Sequence, residues 1–470
     1  MLPFTTGGES MKRERMAFLE EWLTSDDRKP LVIRGARQVG KTWLVRQLAH
    51  AQNRQLIEFN FEKTPQSASL FFSNEPAQIL LTLGAALNKS INPKTALLFL
   101  DEIQAVPELL AKLRWFAEEL PELPVIAAGS LLEFTLEDHS FSMPVGRISY
   151  MHLEPLSFEE FLLASDKQGL FDYLRNYRWE TDIPMAIHEQ LLTHFKEYLL
   201  IGGMPAALLA WTKKRSLKAV DQVHHNLIAT YRDDIAKYKG RMQAERLEET
   251  LATVPRCLGE KFVYSKVNPT IQTAPIKQAL NLLCKARICH RVLGCAASGL
   301  PLAAQIQEKY AKVIFLDVGL CSAALGLSLD QLLQVKELTL VNNGGVAEQA
   351  VGQLLRTISP PYVEPALYYW HRDEKGASAE VDYVIQHRAN VVPIEVKAGS
   401  TGSLKSLHLF MGLKQLSTAV RINSDLPSKM TVTIQDHRLG AISYTLLSIP
   451  LYLQGQLPRL LDLAATHKPD

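Results

Sequence analysis

Apolar positions follow two periods in the first third of the chain. Leu31-Val32-Ile33, Ala96-Leu97-Leu98-Phe99-Leu100 and Pro124-Val125-Ile126-Ala127-Ala128 are short continuous runs, the pattern of strands buried on both faces. Residues 55–61 alternate and predict a further strand. Helical spacing appears at about 13–23, 43–49, 76–87 and 107–120. Strands alternating with helices predict a parallel sheet with crossover helices. From Pro155 the alternation stops, and helical patterns run over 156–164, 170–177, 185–200 and 216–238, broken at Gly202-Gly203-Met204-Pro205. This reads as a helical lid or bridging region. Residues 274–286 read as a helix and 288–293 as a strand. A helix over 345–355 and alternating strands at 380–385 and 391–397 follow. The expected fold class is α/β and multidomain.

Chemistry enters at the first turn. Gly35-Ala36-Arg37-Gln38-Val39-Gly40-Lys41-Thr42 fits G-x-x-x-x-G-K-[ST] between a strand and a helix, the context that makes the pattern a phosphate-binding loop. Backbone N–H groups of the loop would wrap the phosphates of ATP, and the helix N-terminus would add partial positive charge. Lys41 would reach the β- and γ-phosphates, and the Thr42 hydroxyl would ligate Mg²⁺. The run 96–100 ends in Asp101-Glu102. That is the arrangement of a Walker-B strand, with Asp101 on Mg²⁺ and Glu102 orienting or deprotonating the attacking water. Ser130 ends the next buried strand, where a polar side chain senses the γ-phosphate; the alternative is a Gly-Ser turn. Arg147 follows in a loop and is either a solvated arginine or an arginine finger for its own or a neighbouring subunit.

Composition bounds the partners. The chain has 470 residues, enough for two to four domains, and 47% hydrophobic residues, enough for several cores. A net charge of +2 predicts no partner. The five cysteines form no C-x-x-C pair and read as reduced thiols, with a metal site at Cys284, Cys289 and Cys295 the minor alternative. No apolar run approaches the ~18–20 residues of a membrane span, and the start lacks a signal-peptide pattern. A cytoplasmic location is expected. Residues 1–10 read as a tail, and Met11 as an alternative start. Charge is biased locally: between Pro255 and Lys312 stand nine basic side chains against two acidic ones. A basic helix followed by a strand suggests a winged helix that contacts DNA or a protein partner, or else a linker with a solvated basic face.

The last third carries a second set of charges. In an extended strand Glu395 and Lys397 share a face, and Asp382 falls on the preceding strand of a hairpin. Glu348 lies upstream on a helix. Acids and a lysine at this spacing form a Mg²⁺-dependent phosphodiesterase arrangement. Glu348, Asp382 and Glu395 would hold the metal and Lys397 would position water. The alternative is an ordinary charged hairpin.

Several motifs together resemble a known family. They are the loop 35–42, Phe99-Leu100-Asp101-Glu102-Ile103-Gln104, Ala128-Gly129-Ser130, Val145-Gly146-Arg147 and Leu156-Ser157-Phe158. Gly202-Gly203-Met204-Pro205, Tyr231-Arg232-Asp233-Asp234-Ile235, Leu316-Asp317-Val318-Gly319-Leu320, Glu348-Gln349 and Glu395-Val396-Lys397 continue the match. From Met11 onward the chain resembles the bacterial and archaeal predicted AAA+-type ATPases that carry the domain of unknown function 4143 at the C-terminus. The resemblance implies ATP binding, a helical and winged-helix middle, and a C-terminal fold like PD-(D/E)xK nucleases. No sensor-2 arginine stands out in the lid; the stretch 231–234 is the local candidate. The expected boundaries are an ATPase core at 11–154, a helical lid at 155–240, a winged-helix-like region at 241–312 and a nuclease-like domain at 313–470. The expected function is an ATPase whose nucleotide state controls a DNA-directed nuclease-like domain. The alternative is an ATP-gated interaction switch or toxin–antitoxin-like regulator with a non-catalytic nuclease-like domain. Oligomerisation is compatible with either.

Overall fold

The computed structural model describes residues 11–130, 132–137, 146–237, 244–327, 344–374, 377–397 and 403–466. The expected tail at 1–10, Val145 and the boundary at 240/241 lie outside these residues.

Five strands form the first sheet: β1 (Leu31–Arg34), β2 (Gln55–Asn60), β3 (Ala96–Asp101), β4 (Val125–Gly129) and β5 (Ser149–His152). Their order is β2-β3-β4-β1-β5 and every neighbouring pair is parallel. The continuous apolar runs explain the layering. Leu31, Ile33, Leu97, Phe99, Ile126 and Ala128 point to one core with the helices Arg15–Thr24 and Lys41–Ala51. Val32, Leu98, Leu100, Val125 and Ala127 point to the other, under the helices Pro76–Leu87 and Glu108–Glu119. Parallel strands buried on both faces need apolar residues at every position, and these have them. Because β4 lies between β1 and β3, Ala128 is in register with both Ile33 and Asp101. The segments that follow β1, β3 and β4 therefore leave the sheet along one edge.

The sequence pattern did not disclose β5. Ser149-Tyr150-Met151-His152 is only half apolar, as suits an edge strand. The edge is covered: the His152 N–H donates to the Pro361 carbonyl at 2.8 Å. The break at 202–205 separates the helices Met185–Ile201 and Pro205–Lys214, and a longer helix, Leu217–Lys237, follows.

Eight strands form the second sheet: β6 (Cys289–Cys295), β7 (Ile306–Phe315), β8 (Leu367–Glu374), β9 (Ala377–His387), β10 (Asn390–Val396), β11 (Thr418–Asn423), β12 (Ser428–Asp436) and β13 (Gly440–Pro450). The order is β12-β13-β11-β10-β9-β8-β6-β7, a mixed sheet. The β6–β7 hairpin of the middle region thus pairs with β8, and β7 runs through position 312.

One apolar core continues from β1 through the helical region to Val346, Tyr369 and Ile394. Polar clasps reinforce it. The buried Asp317 carboxylate accepts from the N–H groups of Gly203 (2.6 Å), Gly319 (3.0 Å) and Leu320 (3.1 Å), and from Gln353 Nε2 (3.0 Å). This explains the glycine pair: at φ +72° a Cβ on Gly202 would strike the Asp317 carboxylate, and one on Gly203 would strike the Leu156 backbone. Arg356 grips Glu154 at 2.8 and 3.1 Å. Burial alone would raise the Glu154 carboxyl, but Arg356 and then His290 hold it down at about 2.

Candidate functional site: a nucleotide loop and a C-terminal acidic cluster

The loop after β1 turns back through left-handed conformations at Gln38 (φ 66°) and Gly40 (φ 99°). Gly40 then opens the helix Lys41–Ala51, whose first N–H groups face whatever the loop encloses. Arg13 braces the loop from below, donating to Val39 O at 2.9 Å and Glu154 O at 2.7 Å while pairing with Glu160 at 3.0 Å. Lys41 Nζ donates to the carbonyls of Gly35 and Ala36, each at 2.9 Å. Burial lowers its pKa to about 8, against the pull of Glu102 and Asp101. An ammonium resting on neutral carbonyls is available to a phosphate.

Thr42, Asp101 and Asn60 converge. The Thr42 hydroxyl and Asn60 Nδ2 both donate to Asp101 Oδ2 at 3.0 Å. Burial and then Glu102 raise the Asp101 pKa. A hydroxyl and a carboxylate at this spacing fit a hard cation such as Mg²⁺. Asn60 escaped the sequence reading; its signal is that it closes the strand beside β3 at the same edge.

Glu102 leaves β3 in a left-handed conformation (φ 51°). Its Oε2 accepts from Gln104 Nε2 at 2.7 Å, from Ser130 Oγ at 3.2 Å and from Ser130 N at 3.3 Å. Ser130 and Glu102 are thus brought together, with Ser130 holding the carboxylate. The Tyr231 hydroxyl donates to Arg37 O at 2.9 Å, and Asp234 pairs with Arg37 at 2.9 Å. In the stretch 231–234 it is therefore a tyrosine and an acid that meet the loop, while Arg232 is exposed.

Arg147 is elsewhere. It pairs with Glu118 at 2.6 Å in an exposed groove with Asp26, Arg28, Lys29 and Pro121, residues that precede β1 and β4. That is the edge of the sheet opposite the loop. A different arginine is buried near the loop: Arg287 pairs with Glu133 (2.7 Å) and Glu364 (2.9 Å). Part of the basic excess of 255–312 is matched by acids outside that segment, since Lys261 pairs with Asp373 and Lys312 with Glu348, while Lys266 pairs with Glu260 within it.

The C-terminal charges also converge. β9 and β10 are antiparallel, with Tyr383 opposite Ile394. The Val396 N–H donates to Asp382 Oδ2 at 2.8 Å, and Lys397 Nζ meets Glu395 Oε1 at 2.6 Å. Glu348, on the helix Gly345–Thr357, faces them from outside the sheet. Lys312 of β7, absent from the expected set, lies among them. Its ammonium contacts Glu348 Oε1 at 2.8 Å, Glu380 Oε1, and Asp382 Oδ1 at 3.7 Å, and sits 5.3 Å from the Tyr369 ring centre. Lys312 is 2% exposed. Burial would lower its pKa, but Glu348, Asp382 and Glu380 raise it well above the usual lysine value. Burial raises Glu348 to about 7 and Glu395 to about 8. The oxygen donors suit a divalent metal, but the Lys312 ammonium already engages Glu348 and Asp382. Among the described residues no group of three His, Cys, Asp or Glu side chains is placed to hold one. The residues as arranged do not fit the metal expected at Glu348, Asp382 and Glu395. The sequence signal for Lys312 is a lysine that opens the apolar run Val313-Ile314-Phe315-Leu316.

Comparison with known proteins divides the chain into three. Residues 27–162 match an AAA domain, residues 192–331 a domain of unknown function (DUF8612) and residues 343–452 a domain of unknown function (DUF4143). No curated protein matches. Among solved structures, the Walker-type ATPase paby2304 of Pyrococcus abyssi is 16% identical, with 67% of this chain and 96% of that one covered at a TM-score of 0.42. The ORC2 protein of Aeropyrum pernix, in its ADPNP–ADP complexes, is 13% identical, with 69% and 93% covered at 0.34. No helix among the described residues is long and apolar enough to cross a membrane. The chain carries an N-terminal AAA+-like P-loop domain and a C-terminal DUF4143 domain.

Proposed function

We propose that the protein binds ATP·Mg²⁺ in the loop 35–42 and hydrolyses it, and that the C-terminal domain is the output of that cycle. The observation that carries this reading is the convergence of Thr42 and Asp101 beside a lysine that rests on loop carbonyls. The backbone of Gly35, Ala36, Arg37, Gln38, Val39 and Gly40 cradles the phosphates, and Lys41 pairs with the β- and γ-oxygens. Thr42 and Asp101 hold the Mg²⁺, which neutralises charge on the phosphates when bound. Glu102 takes the proton of the attacking water, and Ser130 and Gln104 set the direction of its carboxylate. Arg147, at the far edge of its own sheet, acts as a finger only on a neighbouring copy. Steady-state ATP hydrolysis by wild type and Glu102→Gln is the test; equal turnover removes this mechanism.

The proposed units follow the boundaries at 154 and 240, while the expected boundary at 312 falls inside β7 (Ile306–Phe315), whose hairpin with β6 shares the sheet of the last unit. In the middle unit the helices Ala244–Thr253, Tyr264–Val267 and Thr273–Lys285, followed by the β6–β7 hairpin, support a winged-helix order. In the last unit a helix, three strands, a helix and a strand (345–357, β8 to β10, 405–414, β11) support a PD-(D/E)xK-like order. Two readings of that unit differ in outcome: a DNA-directed nuclease under nucleotide control, or an ATP-gated binding switch that does not cut. The ammonium of Lys312 within the acidic cluster favours the second. Plasmid cleavage with Mg²⁺ or Mn²⁺, with and without ATP, separates them: cutting by wild type establishes the first.

A further inference from the structure

The arginine buried near the nucleotide loop ties three regions together. Arg287 belongs to the middle region, between the helix Thr273–Lys285 and β6. Its backbone is left-handed (φ 58°), with its N–H donating to Cys284 O and that of Ile288 to Leu283 O, each at 3.0 Å. Glycine is the usual residue in such a helix-ending turn, so this side chain is kept at some backbone cost. Its Nε and Nη2 reach Glu133 Oε1 at 2.8 and 2.7 Å, and Nη2 reaches Glu364 Oε1 at 2.9 Å. Glu133 stands three positions after Ser130, which holds the Glu102 carboxylate. Glu364 stands on the approach to β8, next to Pro365, whose carbonyl accepts from Arg356 at 2.8 Å. Both members of the Arg287–Glu133 pair lie within electrostatic reach of Lys41: Glu133 favours its ammonium and Arg287 opposes it. The pair is also free to change partners. The Arg287 side chain is 5% exposed, but that of Glu133 is 20% and that of Glu364 61% exposed. A carboxylate that reaches water can be released without stranding a buried charge, provided the guanidinium finds another anion.

We propose that Arg287 is the residue that tells ATP from ADP: the γ-phosphate bound at Lys41 takes its guanidinium from Glu133, and the shift passes through Glu364 to the second sheet. A guanidinium forks onto phosphate oxygens as it does onto a carboxylate. ADP offers no such anion, so Arg287 stays on Glu133. With ATP the released Glu133 turns to water, and Arg287 carries its end of the helix Thr273–Lys285 and its hold on Glu364 toward the loop. The inference rests on the ATP·Mg²⁺ reading of the loop 35–42 and names the route by which that site reaches the C-terminal domain. It involves no residue of a neighbouring copy.

The test measures, by calorimetry on the full chain with Mg²⁺, the affinities for ADP and for a non-hydrolysable ATP analogue. Arg287→Gln is expected to lower the preference for the analogue over ADP at least about tenfold, mainly by weakening the analogue. Arg287→Lys keeps the charge without the fork and is expected to fall between Arg287→Gln and wild type. Glu133→Gln removes the competing acid and is expected to raise the preference. An ion pair with a merely structural role would shift the Tm and leave this ratio alone. If Arg287→Gln does not fold, Arg287→Gln/Glu133→Gln removes one charge of each sign, and the same loss of preference is expected. Hydrogen exchange at 358–366 is the second readout: it should differ between analogue and ADP in wild type and not in Arg287→Gln. An unchanged ratio in a folded Arg287 variant overturns the proposal, as does wild-type exchange at 358–366 that is the same with either nucleotide. Wild type that binds neither nucleotide, or binds both without need of Lys41, overturns the nucleotide reading together with the proposal. Binding of both through Lys41, beside Arg287 variants of unchanged ratio, overturns the proposal alone.

Discussion

Lys41 and Lys312 are both buried ammonium groups under the influence of carboxylates, and they are partnered in opposite ways. Lys41 donates to two backbone carbonyls, while Asp101 and Glu102 bond to neutral donors on Thr42, Asn60, Ser130 and Gln104. Lys312 donates to the acids themselves. Neutral partners can be exchanged for an incoming ion at modest cost, because each such bond nets only about 1 kcal/mol. Buried ion pairs cannot, since a lost partner leaves an uncompensated charge. Similar residue types thus make one site that is open to a charged ligand and one that is already neutralised. What decides is the partner of each oxygen, not the list of acids.

The joint between the two regions should give the largest effect. Arg356→Ala leaves Glu154 buried without its two-pronged guanidinium partner, with, among the described residues, only His290 at 4.0 Å beside it, and a loss of about 3–5 kcal/mol is expected in denaturant unfolding. The same pair predicts acid sensitivity. Glu154 is held at about 2 against an ordinary 4.5, so its stabilisation is complete above pH 4.5 and drains away as the pH falls toward 2. An Arg356→Ala variant whose stability matches wild type at pH 7 would show that the regions do not depend on this contact. Next comes Lys41→Ala, expected to weaken ATP binding about 10³-fold, or about 4 kcal/mol, by calorimetry. Unchanged affinity would break the contrast at its open end. Glu102→Gln should bind ATP normally and turn over about a hundredfold more slowly, at the low end of what a general base contributes.

A smaller effect concerns pH. The free Lys41 ammonium titrates at about 8, and bound phosphate would favour its charged form. ATP affinity is therefore expected to decline above pH 8, by up to about tenfold per pH unit, or about 1.4 kcal/mol. A flat profile from pH 7 to 10 would mean that Lys41 stays charged in the free protein. The smallest effect is expected at Arg147. Arg147→Ala should change stability by less than about 0.5 kcal/mol, because its pair with Glu118 is solvent-exposed. Turnover at protein concentrations too low for self-association should not change either.

The nucleotide loop was legible because its chemistry is contiguous: eight consecutive residues specify a turn, a charge and a hydroxyl, and a strand end supplies the acids. The layers of the first sheet were legible for a similar reason, since buried parallel strands are apolar throughout. The partners that tune the site were not. Asn60 and Gln104 matter only because β2 and the turn after β3 bring them to Asp101 and Glu102, and nothing local marks them. β5 was missed because one side of an edge strand need not be apolar. Lys312 was missed because it meets Glu348 and Asp382 across 36 and 70 positions of sequence. A hairpin motif reports which acids share a face, but not which cation reaches them from another strand.

The pairing of β6 with β8 bears on how such a chain can be cut or recombined. The matched segments end at 331 and begin again at 343, which invites a break between them. Yet a fragment beginning at Gly344 would lose β6 and β7, baring the backbone of β8 as an open template for another strand. It would also leave Glu348, Glu380 and Asp382 without the ammonium from β7. The unit that can be inherited or excised intact is therefore longer than the segment that sequence similarity delimits. An exchange that replaced the last segment alone would have to bring a matching hairpin, and a matching lysine, with it.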